Sequence, residues 1–322
     1  MKHHPIKHFT SVKDVPDIRE WVNIARSFKA NPMQFADAGK HKTIALIFLN
    51  PSLRTRLSTQ KAAMNLGMQA MVMNSDKEGW ALEYTDGNIM NGSTVEHIKD
   101  AAGALGKFAD IIGVRCFPSL TDKEKDDSEF VLNKFIEYSG VPVVSLESST
   151  LHPLQSFADL ITIDENWKKT DRPKVVLTWA PHVKALPQAV PNSFAEWMCK
   201  ADVDFTITHP EGLELNEKFT SGATINTNQI EALEGADFIY VKNWSSYQEY
   251  GKPYLDGSNW FLGDQQMNVC PGAKIMHCLP VRRNVELSDA LLDGPGTLVM
   301  QQAENRTYAA QTVLWKMLQA HV

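Results

Sequence analysis

At 322 residues the chain exceeds the length at which one hydrophobic core stops growing, so two domains are the first expectation. Its composition, 43% hydrophobic, 22% charged and 9% aromatic, is that of an ordinary globular protein. A formal net charge of −6 excludes a general attraction to nucleic acid or to an anionic membrane, although local basic residues can still dominate one cleft and hold a small anion.

The first residues, MKHHPIKHF, lack the apolar core of a signal peptide, and no apolar run is long enough to span a bilayer. His3, His4 and His8 are read as a solvated tail rather than a metal site, because chain ends are usually loose. Cys116, Cys199, Cys270 and Cys278 show neither C-x-x-C spacing nor regular intervals, which points to reduced thiols in a cytoplasm. No His/Cys/Asp cluster has ligand spacing, so the sequence calls for no metal and no other cofactor.

In chain order, short apolar β-branched runs predict strands at Thr43–Leu49, Ala70–Met73, Asp110–Val114 and Pro142–Ser145. A second set follows at Lys174–Thr178, Val203–Thr208, Phe238–Val241, Lys274–Met276 and Thr297–Met300. Helical periodicity falls between them, over Thr55–Leu66, His97–Lys107, Ser128–Tyr138, Gln155–Trp167, Ser193–Cys199 and Glu304–Gln319. The alternation predicts an α/β fold of two domains, each with a parallel β-sheet flanked by helices. The pattern restarts at Arg172-Pro173. We place a first domain over 1–153, a second over 154–303, and a C-terminal helix within 304–322 that rejoins the first.

Five segments carry candidate chemistry. After the first strand, Asn50-Pro51-Ser52-Leu53-Arg54-Thr55-Arg56 opens a helix with Ser52 as N-cap. A helix N-terminus favours a phosphate, and Arg54 and Thr55 add a charged fork and a hydroxyl. An ordinary capped helix with two surface arginines is the alternative. Arg115 ends the run Asp110–Arg115, where α/β sheets bind ligands. Glu147 and His152-Pro153-Leu154-Gln155 follow another strand. His277-Cys278-Leu279-Pro280-Val281-Arg282-Arg283 follows Lys274–Met276; a thiol nucleophile at Cys278 is disfavoured, because neighbours on a strand face opposite ways. Glu304-Asn305-Arg306 opens the last helix.

Ser-x-Arg-Thr-Arg, His-Pro-x-Gln and His-Cys-Leu-Pro, in this order and at these intervals, resemble the aspartate/ornithine carbamoyltransferase family over nearly the whole chain. The resemblance implies a carbamoyl-phosphate-binding domain, an amino-acid-binding domain, and a homotrimer with shared active sites. It implies that Ser52, Leu53, Arg54 and Thr55 hold the phosphate of carbamoyl phosphate. Arg115, His152, Pro153, Leu154 and Gln155 would hold the carbamoyl end, with Cys278, Leu279 and Arg306 completing the site. Arg56 would brace the loop. Trp80, in Lys77-Glu78-Gly79-Trp80, matches the family loop that reaches into a neighbouring subunit.

Ordinary ornithine enzymes of the family carry an Asp-x-x-x-Ser-Met-Gly loop for the free α-amine. Here the region reads Gly263-Asp264-Gln265-Gln266-Met267, and Thr178-Trp179-Ala180-Pro181-His182 replaces a glycine- and asparagine-rich turn. These departures resemble the N-acylornithine branch of the family, its N-succinylornithine members in particular. In that branch Glu147, His182, Lys242 and Arg282 would bind the acylated amino acid. Lys242 and Arg282 suit the two carboxylates of N-succinylornithine, with a hydrogen bond from His182. One loop residue separates acyl preferences, glutamate with acetyl and proline with succinyl; the match here, in Asn91–His97, is Val95. A glutamate there would repel the succinyl carboxylate by roughly 1–4 kcal/mol, and valine does not. Glu96 stands one residue away.

The activity so implied is transfer of the carbamoyl group to the δ-amine of N-succinyl-L-ornithine, in arginine biosynthesis. Thr55, Arg115 and His152 would donate to the developing oxyanion, while Arg54 and Arg306 neutralise the leaving phosphate. N-acetyl-L-ornithine as acceptor is one alternative. A non-catalytic amino-acid sensor on the same fold is another, and it should have lost the arginines retained here. A nicotinamide dehydrogenase would need G-x-G-x-x-G after its first strand, which is absent.

Overall fold

Strands buried on both faces must be apolar along their whole length, and the segment TIALIF fits that requirement: all of it beyond Thr43 is buried. A computed structural model of the chain describes residues 6–254 and 256–319, the side chains of Asp76 and Lys77 excepted. The chain divides into two compact units. One runs to Leu154 and resumes at Arg306; the other is Gln155–Asn305.

The first unit contains α1 (Ile18–Ala30), β1 (Thr43–Phe48), α2 (Arg54–Asn65), β2 (Gln69–Asn74), β3 (Leu82–Glu83) and β4 (Glu96–His97). It continues through α3 (Ile98–Phe108), β5 (Ile111–Arg115), α4 (Phe130–Ser139) and β6 (Val143–Glu147). Its sheet has the order β2-β1-β5-β6, every pair parallel. Next, α5 (Pro153–Asn166) leads into the second unit, with β7 (Lys174–Trp179), α6 (Ala189–Lys200), β8 (Asp204–Thr208), β9 (Thr224–Asn226), β10 (Phe238–Lys242) and β11 (Lys274–Met276). The second sheet is also parallel, in the order β11-β10-β7-β8-β9. The predicted α/β class with helix-flanked parallel sheets is what the chain forms.

The last helix, α7 (Val299–Leu318), returns the chain to the first unit. Its Gln311 accepts from Asn65 at 3.0 Å and donates to the Pro32 carbonyl at 2.7 Å. Lys316, buried under Trp21 and Trp315, pairs with Glu20 at 2.9 Å.

Several predicted elements differ. Thr297–Met300 is not a strand: Thr297 makes one bridge to Ile275, and α7 starts at Val299. A four-residue apolar run fits either a strand or a helix start, and only tertiary packing decides. The helix predicted at Ser193–Cys199 is longer, because Pro191 sits in its first turn, where a missing N–H costs nothing. Helix α1, unassigned from sequence, buries Trp21, Val22, Ala25 and Phe28 and is capped by Asp17. His8 is not a solvated tail residue. Its Nδ1 accepts from Val143 N at 3.1 Å, and the next residue, Phe9, is fully buried beside β6 and stacks on Trp21. His3 and His4 lie outside the described residues. Among the described residues no helix is long and apolar enough to cross a membrane.

Candidate active site

In the first sheet the chain leaves β1 toward β2 on one side and leaves β5 toward β6 on the other. Ligands bind at the carboxyl ends of strands at such a switch point. Two bonds join the ends: Leu49 N donates to Arg115 O at 3.0 Å, and Phe117 N to Asn50 Oδ1 at 2.7 Å. Ser52 is not the N-cap expected of it. Leu53 occupies that position in helical conformation, with no side-chain capping bond. The start of α2 therefore has no side-chain cap, which suits an anion better than a sealed helix start. Ser52 and Arg54 are half-buried there and Leu53 is exposed. Arg56 donates to Asn74 Oδ1 at 3.3 Å, bracing α2 against the end of β2.

Beside this helix start, Thr55, Arg115, Glu147, His152 and Arg306 are buried together. The Arg306 guanidinium donates to Thr55 Oγ1 and lies 3.5 Å from His152 Nε2. Glu147 pairs with Arg115, and its Oε2 is also 3.5 Å from His152 Nε2. The Arg115 guanidinium rests 4.5 Å over the ring of Phe117. The guanidinium groups of Arg115 and Arg306 and the Glu147 carboxylate are thus buried around His152. His152 Nδ1 and Arg115 Nε are buried without a hydrogen-bond partner in the protein, as groups reserved for a ligand are.

Burial first, then the charges of Arg306 and Arg115, hold the His152 pKa well below the ordinary 6.5, so the ring is neutral. The sign of the resulting pH effect is definite. Below pH 6.5 an unfolded histidine takes up a proton that the folded one refuses, so stability falls as pH drops through that window. This contributes at most about 1.4 kcal/mol per pH unit. Urea unfolding from about pH 7 to 5 should show the His152→Asn variant losing less stability than the native protein. Parallel losses would contradict the burial of a neutral ring.

The second sheet has its own switch point, between β7 and β10. Asn243 Nδ2 donates to Ala180 O at 2.6 Å and ties the two strand ends. Lys242 ends β10 and is buried, and His182 lies just past β7. Arg282 Nε donates to His182 Nε2 at 3.1 Å, and His182 Nδ1 lies 3.0 Å from Lys184 O and 3.1 Å from Lys184 N. Burial is the main cause lowering the His182 pKa; the Lys184 backbone bond and the Glu286 charge oppose it, and the charges of Lys242 and Arg282 act with it. Both ring nitrogens are thus engaged. Instead of offering a donor, as expected, His182 holds the Arg282 side chain.

One residue not singled out from the sequence organises this region. Glu286 is buried; its carboxylate accepts from Arg282 N at 2.9 Å and from His277 Nε2 at 3.0 Å. His277 Nδ1 in turn accepts from Leu279 N at 2.9 Å, fixing Leu279 with a positive φ of 54°. Burial works to raise the Glu286 pKa, but the His277 bond and the charges of His277 and Lys242 hold it below the usual carboxylate value. A lone acid between Val285 and Leu287 gives no periodic signal, which is why it escapes sequence reading. His277 is committed to Glu286, so it is no base for the half-buried Cys278. Pro153 and Leu154 are buried at the start of α5. Within the second unit Gln155 donates through Nε2 to Asp159 Oδ1 at 2.7 Å, an oxygen that also accepts from Gln302 at 2.8 Å.

Trp80 and Val95 lie where β3 and β4 pair, at the base of a loop of the first unit. Val95 N donates to Ala81 O at 2.8 Å, while its side chain is 64% exposed. Trp80 donates through Nε1 to Glu96 Oε2 at 2.7 Å and lines a pocket of about 330 Å³ with Leu49, Leu82 and Tyr84. The loop is fastened inside by Glu83, which accepts from Tyr84 N, Thr85 N and Asn88. Asp86 fastens it outside to Lys99 and Lys134; the bond from Lys99 is the main cause holding its pKa down to about 2.

Residues 7–165 match the family model described as aspartate/ornithine carbamoyltransferase, carbamoyl-P binding domain, and residues 187–317 match its Asp/Orn binding domain. The chain is 49% identical over 316 residues to an N-succinylornithine carbamoyltransferase of Bacteroides fragilis, covering 98% of this chain and 99% of that one. It is 36% identical over 331 residues to an N-acetylornithine carbamoyltransferase of Xylella fastidiosa, covering 96% and 98%. Among solved structures it is similar to a glutamate-to-valine mutant of N-acetyl-L-ornithine transcarbamylase complexed with carbamyl phosphate and N-succinyl-L-norvaline. That likeness has a TM-score of 0.91 at 33% identity, over 97% of this chain and all of that one.

Proposed function

The chain belongs to the aspartate/ornithine carbamoyltransferase family, and from that premise we propose that it carbamoylates the δ-amine of N-succinyl-L-ornithine, giving N-succinyl-L-citrulline and phosphate in arginine biosynthesis. The observation that carries the reading is the buried, positively charged cluster of Thr55, Arg115, His152 and Arg306 beside an uncapped helix start. It supports a site for a phosphorylated, carbonyl-bearing anion, and a sensor would have no use for it.

In this reading Ser52, Leu53, Arg54 and Thr55 hold the phosphate with Arg306. The neutral δ-amine attacks the carbonyl carbon, and a tetrahedral intermediate forms. The C–O bond to phosphate then breaks, its electron pair leaving with the phosphate, which also takes the proton that the amine gives up. His152, being neutral, has one N–H to give the oxyanion; Arg115 gives another and the Thr55 hydroxyl a third, since Thr55 Oγ1 already accepts from Arg306. Gln155, with Pro153, Leu154, Cys278 and Leu279, completes the carbamoyl contacts. Lys242 and Arg282 take the carboxylates of the acylated amino acid, with His182 steadying Arg282; Glu147 serves that substrate by holding Arg115.

The acceptor rests on Val95. Glu96, which could undo the argument, has its carboxylate tied to the Trp80 indole, and this supports Val95 as the residue an acyl group meets. The relative carrying valine in place of a glutamate, in complex with an N-succinyl ligand, supports it too. The loop and α2 expose Trp80, Ile89, Val95, Leu53, Leu57 and Met64, which supports a homotrimer whose subunits lend Trp80 and Val95 to a neighbour's site. The buried thiols Cys116 and Cys270 fit a reducing cytoplasm.

The test is ureido-product formation from carbamoyl phosphate with ornithine, N-acetylornithine and N-succinylornithine in parallel. Turnover with the succinyl compound alone is expected. Preference for the acetyl compound would keep the reaction and overturn the reading of Val95. Carbamoyl phosphate binding without turnover on any acceptor would return the sensor.

A further inference from the structure

Glu129 precedes α4 in left-handed conformation, φ 53°, and makes no capping bond to that helix. Residues other than glycine and asparagine seldom adopt this backbone. Its carboxylate points elsewhere. Oε1 accepts from Ser148 Oγ at 2.7 Å, from Thr150 N at 2.8 Å and from Thr150 Oγ1; Oε2 accepts from Ser149 N at 3.1 Å.

Four donors from three successive residues therefore converge on one acid. Ser148, Ser149 and Thr150 are buried, yet belong to no strand or helix, so their N–H groups need acceptors from outside the local backbone. Ser148 N bonds Leu151 O at 2.8 Å and closes the turn on itself; the N–H groups of Ser149 and Thr150 go to Glu129. This turn joins Glu147, the last residue of β6, to His152, the residue before α5. Both its ends thus reach into the arginine cluster. Ser52–Thr55 and Arg306 come from other elements of the chain.

We propose that Glu129 is a positioning residue: its carboxylate sets the turn that aims His152 and Glu147, and so determines how well carbamoyl phosphate is distinguished from bare phosphate. This rests on the carbamoyltransferase reading above, with phosphate held by the α2 start and the carbamoyl end by His152.

The experiment is calorimetric titration of the full chain with carbamoyl phosphate and, separately, with inorganic phosphate, for the native protein, Glu129→Ala and Glu129→Gln. In the alanine variant carbamoyl phosphate affinity should fall about tenfold or more while phosphate affinity stays within about twofold, the loss expected when one or two hydrogen bonds are misaligned. Glutamine keeps an oxygen for the three Oε1 donors and loses only the Ser149 bond, so it should restore most of the preference. That variant decides the matter if alanine does not fold. Equal weakening of both ligands would mark Glu129 as a merely structural brace, and unchanged preference in both variants would remove it altogether. If the native protein itself binds carbamoyl phosphate no better than phosphate, the carbamoyltransferase reading falls, and this inference with it.

Discussion

Replacing His152 by alanine is expected to lower kcat by about 10²–10³ while the protein stays folded, the usual effect of losing one oxyanion donor. The ring is buried among Thr55, Arg306, Arg115 and Glu147, and its neutrality follows from burial and from the two guanidinium groups. A neutral imidazole is a donor that needs no deprotonation and leaves the net positive charge of the site to the arginines. Its removal opens space among polar groups instead of apolar ones, so the fold should lose only about 1–3 kcal/mol. Steady-state kinetics with carbamoyl phosphate at saturating acceptor, alongside a thermal melt, separate the two effects. A variant turning over at the native rate would exclude His152 from the chemistry.

The second large effect concerns the acyl group. Val95→Glu should depress kcat/KM for N-succinylornithine by roughly 5-fold to 10³-fold, the equivalent of about 1–4 kcal/mol of repulsion between two carboxylates. N-acetylornithine, lacking the second carboxylate, should change by no more than about threefold. Because Val95 N is bonded to Ala81 O and the side chain points into solvent, glutamate is accommodated without disturbing the loop. The ratio of kcat/KM for the two acceptors is the readout. An unmoved ratio would place acyl recognition elsewhere, and the basic pair Lys242 and Arg282 would be the next residues to vary.

What sequence alone reveals here follows from how local each signal is. Strands β1, β5, β7 and β10 are read correctly because a strand covered on both faces has to be a continuous apolar run. Arg115 is found because it stands at the end of such a run and Arg54 because a helix start follows one, whereas Lys242 is reached only through the family resemblance. Helix α1 carries its spacing openly in Trp21, Val22, Ala25 and Phe28 and could have been found. Thr297–Met300 could not, since its identity as a helix start is settled by contacts far away in the chain. Glu129 and Glu286 belong to a third kind. Each acts through hydrogen bonds to loops, Glu129 some twenty residues away and Glu286 four, and an acid that organises a loop looks in sequence like any surface acid. Ser52 shows the converse: a good capping residue one position too early, with Leu53 at the helix start and no side-chain cap formed.

The first unit is built from both ends of the chain, and Arg306, one of its buried cations, arrives with the last helix. During synthesis, residues up to Leu154 emerge before the whole of the second unit, Gln155–Asn305, has been made. At about 5–20 residues per second that interval lasts roughly 10–30 s. Throughout it Asn65, Glu20 and Thr55 have none of their α7 partners, so the nascent first unit waits, incomplete, for the final segment to leave the ribosome. The buried cluster around Thr55 and His152 is therefore complete only once α7 has been made, and a polypeptide cut short before Arg306 never acquires it.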